Sequence, residues 1–116
     1  MRKAYTLENF KGEYISHITF VMDYVQIGFG EATLTIYSRP IAKSATGEYR
    51  FPEIGSRDAL CSFIGHTLIG ITVHPNDHIA MLLDNGMIKI LLDSASRFNG
   101  DAAEFWPEKG KPMIDY

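Results

Sequence analysis

Two stretches of this chain can be laid over one another. The segment "LENFKGEYISHITFVMDYVQIGFGEATLTIYS" begins at Leu7 and "LCSFIGHTLIGITVHPNDHIAMLLDNGMIKILL" begins at Leu60. The overlay pairs Leu7 with Leu60, Phe10 with Phe63, Gly12 with Gly65, Ile18 with Ile71 and Thr19 with Thr72, each pair 53 positions apart. One extra residue in the second turn, Pro75 or Asn76, then brings Asp23 onto Asp77, Val25 onto Ile79, Ile27 onto Met81, Phe29 onto Leu83, Leu34 onto Ile88 and Ile36 onto Ile90. More loosely, "YRFPE" at 49–53 falls about where "EFWPE" at 104–108 does, an aromatic-Pro-Glu close to each unit. A period this long is unlike the small solenoid repeats and suits one supersecondary unit doubled. The expectation is a single domain over 1–116 with an internal repeat at about 6–53 and 59–108.

Each unit reads alike. It opens with a short helix: Thr6 can cap 7–11 in the first, and Ser56 can cap 57–64 in the second, where Leu60, Phe63 and Ile64 share a face. Gly12 and Gly65 stand where a helix end commonly needs positive φ. Apolar alternation with a period of two follows, the mark of half-buried strands. Ile18, Phe20, Val25, Ile27, Phe29, Leu34 and Ile36 form one inward set; Ile69, Ile71, Val73, Ile79, Met81, Leu83, Ile88, Ile90 and Leu92 form the other. Turns fall at Asp23, at Pro75 to Asp77 and at Asn85-Gly86, a hairpin dipeptide. The reading is therefore α+β: two tandem helix-plus-three-stranded-meander units forming a mainly antiparallel, curled sheet with pseudo-twofold symmetry. About six to eight strands are expected, with part of the linker in strand and the final residues extended over the surface.

Charge narrows the function classes. A net charge of −3, with 11 basic residues scattered along the chain, leaves no nucleic-acid footprint. No run approaches a membrane span, and the start "MRKAYTLENFKGEY" lacks a secretory apolar core. A single cysteine cannot form an intrachain disulfide. These features point to the cytoplasm, with no membrane, nucleic-acid or cofactor association.

The candidate sites are few. His74 and His78 flank Pro75, Asn76 and Asp77, so a hairpin there sets two imidazoles opposite each other with Asp77 as a third donor. Zinc requires three protein ligands in a catalytic site and four in a structural one, and the remaining histidines are His17 and His66. The first unit offers Val21 and Tyr24 at the aligned positions. The pair therefore reads as turn histidines, with a metal- or ligand-binding protein, or an enzyme using His74 and His78, as the alternative. Cys61 with His66 lacks a third orienting group, and Asp84, Asp93, Asp101 and Glu104 fall in turns or strand ends. The "GFG" at 28–30 has no helix after it and marks a bend rather than a nucleotide loop.

The outward faces differ between the units. The first presents Thr19, Tyr24, Gln26, Thr33, Thr35 and Tyr37; the second presents Ala80, Leu82, Met87 and Leu91 beside Lys89. The second is too apolar for free solvent: it is either covered by linker or tail, or it meets a partner or a second copy. Tyr24, Gln26, Tyr37, Leu82, Met87 and Leu91 are accordingly the candidate partner-binding residues.

The pattern Leu-x-x-Phe-Ile-Gly-x-x-Leu-x-x-Ile from Leu60, followed by Leu-x-Asp-Asn-Gly-x-Ile-x-Ile from Leu82, resembles small bacterial single-domain families of unknown function. Some of these are similar to immunity proteins of contact-dependent toxin systems. The resemblance spans Leu60 to Leu92, transfers no site residue, and implies a cytoplasmic non-enzyme that works by binding a protein or forming a homodimer.

Overall fold

In the computed structural model, residues 6–98, 100–108 and 112–116 are described. Among them ten strands run in order: β1 (His17–Val21), β2 (Tyr24–Phe29), β3 (Ala32–Ile36), β4 (Ile41–Ser44), β5 (Gly47–Arg50), β6 (Leu68–His74), β7 (His78–Leu83), β8 (Gly86–Leu91), β9 (Ala103–Trp106) and β10 (Ile114–Asp115). There is one short α-helix, α1 (Ser56–Cys61), and there are 3-10 turns at Leu7–Phe10 and Ser94–Ser96. The fold is thus mainly antiparallel β rather than α+β. Helical content is small because Gly12 and Gly65, at φ +97° and +87°, halt each opening segment within two turns. The first segment never lengthens beyond a 3-10 turn, and Thr6 Oγ1 accepts from Asn9 Nδ2 (2.8 Å) instead of capping the backbone. In the second, Gly55 holds the N-cap position and Ser56 is the first helical residue, fully buried.

The strands form two five-stranded sheets rather than one curled sheet. Sheet one has the order β1-β2-β3-β9-β10 and sheet two the order β5-β4-β8-β7-β6. The meanders β1-β2-β3 and β6-β7-β8 are as the alternation predicts. Each is then extended by two strands from the other half of the chain. Strand β9 pairs with β3 (Leu34 opposite Phe105), and β4 pairs with β8 (Ala42 opposite Ile88). Parts of the linker and of the tail are therefore sheet strands. The aromatic-Pro-Glu segments are not equivalent, since one follows β5 and the other leaves β9.

A small ladder joins the two sheets. Gly12 N donates to Leu68 O (2.8 Å) and Gly65 N to Ile15 O (2.7 Å); Ile15 N donates to His66 O (3.1 Å) and Leu68 N to Glu13 O (2.8 Å). Gly12 and Gly65, like Ile15 and Leu68, lie 53 positions apart, so exchanging the halves maps this bond set onto itself.

The core is one cluster made from both inner faces. Val25, Ile27, Leu34, Ile36 and Phe105 come from sheet one, and Ile79, Met81, Ile88, Ile90 and Ala42 from sheet two, all fully buried. Leu7 on one side and Leu60 with Phe63 on the other complete it, also fully buried. Burying each large apolar side chain contributes roughly 1.5–3 kcal/mol. One inward assignment fails: Ile69 is 46% exposed, because a bulge between Leu68 and Gly70 shifts the β6 register and sends Leu68 inward instead.

Candidate functional site

The three-residue loop 75–77 places His74 opposite His78, with ring centroids 4.6 Å apart. Asn76 takes φ 64°, a left-handed position that asparagine tolerates. The Asp77 carboxylate hydrogen-bonds His78 Nδ1, so it orients that ring. His66 pairs with Asp84 (2.6 Å), and His17 lies against Gly28 and Ser16 on sheet one. Among the described residues no group of three or more His, Cys, Asp or Glu is gathered at metal-binding distance. Cys61 is exposed, and His66 is held on Asp84 rather than on the thiol.

The six candidate partner residues divide into two groups. Those of sheet one are tied to one another or to neighbours. The Tyr24 and Tyr37 rings sit 5.4 Å apart, the Tyr37 hydroxyl donates to Glu104 Oε1 (3.1 Å), and Gln26 Nε2 donates to Thr35 Oγ1 (3.3 Å). Burial, with the Glu104 carboxylate beside it, pushes the Tyr37 hydroxyl above the usual tyrosine range. The outward side chains of β2 and β3 are therefore mostly polar and bonded to one another, while Trp106, opposite Thr33 on the same face, is 47% exposed.

The outer face of sheet two is different. Register places Leu82 between Gly70 and Met87, Ala80 between Thr72 and Lys89, and Leu91 beside His78. Ile41 follows Lys89 on β4. Leu82 remains 47% exposed, and Ile69 stands at the bulge beside it. None of the linker and tail strands lies over this face: β4 and β5 extend the sheet sideways, and β9 and β10 belong to the other sheet. The cations behave unequally here. Lys43 is paired with Glu48 (3.4 Å), whereas Lys89 has no carboxylate partner among the described residues.

A third feature was not visible in the sequence. Arg39, Arg50 and Arg97, three of the chain's five arginines, line one cavity of about 520 Å³ between Phe51 and Phe98. A fourth, Arg57, lies over the Phe51 ring with its guanidinium carbon 5.1 Å from the centroid. These residues are far apart in the chain, and only the exchange of strands between sheets gathers them. Arg39 holds φ 58° immediately before Pro40. Left-handed backbone at a non-glycine residue costs on the order of 1–3 kcal/mol and is concentrated at functional sites. Next to the cavity, across Tyr37 and Phe98, is a smaller one of about 290 Å³ lined by Asp23, Tyr24 and Asp101.

The chain matches no protein-family model, no curated protein and no solved structure. No helix among the described residues is long and apolar enough to cross a membrane.

Proposed function

We propose that this is a non-catalytic binding protein of the bacterial cytoplasm that engages a partner protein through the outer face of sheet two. The observation that carries the reading is an apolar strip in which Leu82 and Ile69 are exposed and Met87, Ala80, Ile41 and Leu91 are half-buried. Contiguous apolar surface with a polar rim is what a protein partner desolvates. The charge on the strip selects among partners. Lys89 sits within it with no carboxylate beside it, so a second copy centred on the same strip would set Lys89 against its own counterpart. A different protein, presenting an apolar patch with a carboxylate for Lys89, fits better than a homodimer. Such a role agrees with the immunity-like resemblance, which asks only for a binding surface. The symmetric ladder and the exchanged strands also support descent of the two halves from one duplicated unit.

The test is site-specific photocrosslinking in the native host, with a benzophenone amino acid at Leu82 and, as control, at Thr19 on the opposite sheet. A discrete heterologous product from position 82, lost on adding Met87→Glu and missing from position 19, is the expected result. Crosslinks at twice the protomer mass would replace the partner by a second copy. Equal labelling from both positions would refute the surface.

A further inference from the structure

We propose that the cavity walled by Arg39, Arg50 and Arg97 is an oxyanion site that holds the carboxylate or phosphate of a small ligand with an apolar or aromatic body. The guanidinium groups of Arg50 and Arg97 are oriented by hydrogen bonds and carry no side-chain ion pair among the described residues, and Arg39 adds a third cation to the lining. Arg50 Nε donates to Arg39 O and Nη2 to Ser38 O, both at 3.2 Å. Arg97 Nε donates to Leu92 O (2.9 Å), and its Nη1 donates to Gly100 O (3.2 Å) and Tyr116 O (3.0 Å). Every acceptor is a main-chain oxygen, and none of these arginines pairs with an Asp or Glu side chain among the described residues. A guanidinium carries five N–H donors. Arg50 uses Nε and one Nη2 proton, which leaves its Nη1/Nη2 edge as a fork suited to two oxygen atoms, and Arg97, with Nε and both Nη1 protons used, keeps the two protons of Nη2.

The one carboxylate lining the cavity is already committed. Glu53 Oε1 accepts from the Arg50 backbone N–H (2.8 Å), so three arginines line the cavity with one acid among them. Phe51, Phe98 and Tyr37 complete the walls, and the volume exceeds what a bare anion fills, so the ligand has a body as well as a head. The inference rests on observations other than those for the partner surface: none of the strip residues lines the cavity, although Arg50 is the cross-strand neighbour of Ile41 at the edge of the strip.

The experiment titrates inorganic phosphate and benzoate into the full chain, followed by the arginine Nε–Hε signals in NMR and by thermal shift. The variants are Arg39→Asn and Arg50→Lys. Asparagine removes the charge yet accepts the left-handed backbone, so the unliganded Arg39→Asn protein should melt no lower than the parent. Expected is saturable binding of at least one probe, with Arg50 and Arg97 signals moving and affinity falling roughly tenfold or more in each variant. Phosphate binding alone identifies a phosphate head, and benzoate binding alone a carboxylate on an apolar body. No saturable shift with either probe overturns the site. So does binding that both variants retain undiminished.

Discussion

Gly86 separates two explanations for a glycine in a hairpin. Asn85-Gly86 suggests a turn whose glycine supplies positive φ, but the turn centre is Asp84-Asn85, and Gly86 is already the first residue of β8, opposite Leu83. Gly86 holds no positive φ. What it provides is room: a Cβ there would collide with Lys43 O on β4 and stand 2.6 Å from Phe63 Cε1. Lys43 O is backbone and Phe63 is fully buried, so neither neighbour can swing away. Gly86→Ala must therefore push β4 off β8. Overpacking of this kind costs about 1–3 kcal/mol, and a weakened ladder bond adds about 0.5–1.5 kcal/mol. The expected loss is roughly 2–4 kcal/mol, or about 8–16 °C in Tm for a domain of this size. Gly30→Ala is the comparison, because Gly30 sits at φ +69° with nothing within 4 Å of its added Cβ. Backbone strain alone should cost about 1–2 kcal/mol there. Urea unfolding monitored by circular dichroism measures both. If Gly86→Ala were neutral or stabilising, as for a glycine replaced where alanine fits, by about 0.4–1 kcal/mol, the close-packing account of the β4–β8 junction would be wrong.

Two further expectations concern titration and metal. Burial raises the Tyr37 hydroxyl, helped by its bond to Glu104, and burial likewise raises Tyr116 against the opposing effect of a hydrogen bond to Leu7. A raised folded-state value means the native protein holds these protons longer than the unfolded chain, so their stability contribution is complete below about pH 10 and is lost as pH rises through the folded values. Absorbance titration at alkaline pH should show late tyrosine ionisation, with the Tyr37 component moving down in Glu104→Gln; an unmoved component would remove Glu104 as a cause. Zinc and nickel are expected to leave the melting temperature unchanged, given two facing imidazoles with Asp77 engaged on one of them. A metal-induced rise abolished in the His74→Ala, His78→Ala double variant would establish the rival reading.

What the sequence could show is divided by range. The meanders were legible because alternation and turn residues are local signals, and Val25, Ile27, Leu34, Ile79, Met81 and Ile88 are buried as their spacing requires. The partnership of β3 with β9 and of β8 with β4 was not, since strand pairing between residues 44 to 73 positions apart leaves no local trace in a single sequence. Ile69 was misplaced for a related reason: a bulge changes face without changing composition. Of the candidate surfaces, the outward residues of the two meanders could be read from alternation alone, whereas Trp106, which β9 brings onto the outer face of sheet one, could not. The arginine cavity could not, because positions 39, 50 and 97 become neighbours only after linker and tail have taken their places at opposite sheets.

The exchange of strands also says what half of this molecule would be. A chain ending near residue 54 would keep its meander, but β3 would offer an empty edge where β9 belongs, and β4 and β5 would have no β8 to join. Two such half-chains would each hold the pair of strands the other lacks, and the Gly12 and Ile15 segment could bond to its own copy in the pattern it now makes with Gly65 and Leu68. In that light the single polypeptide behaves as a strand-swapped dimer whose two subunits have been tied together, which leaves each half free to change its outer face without losing the other.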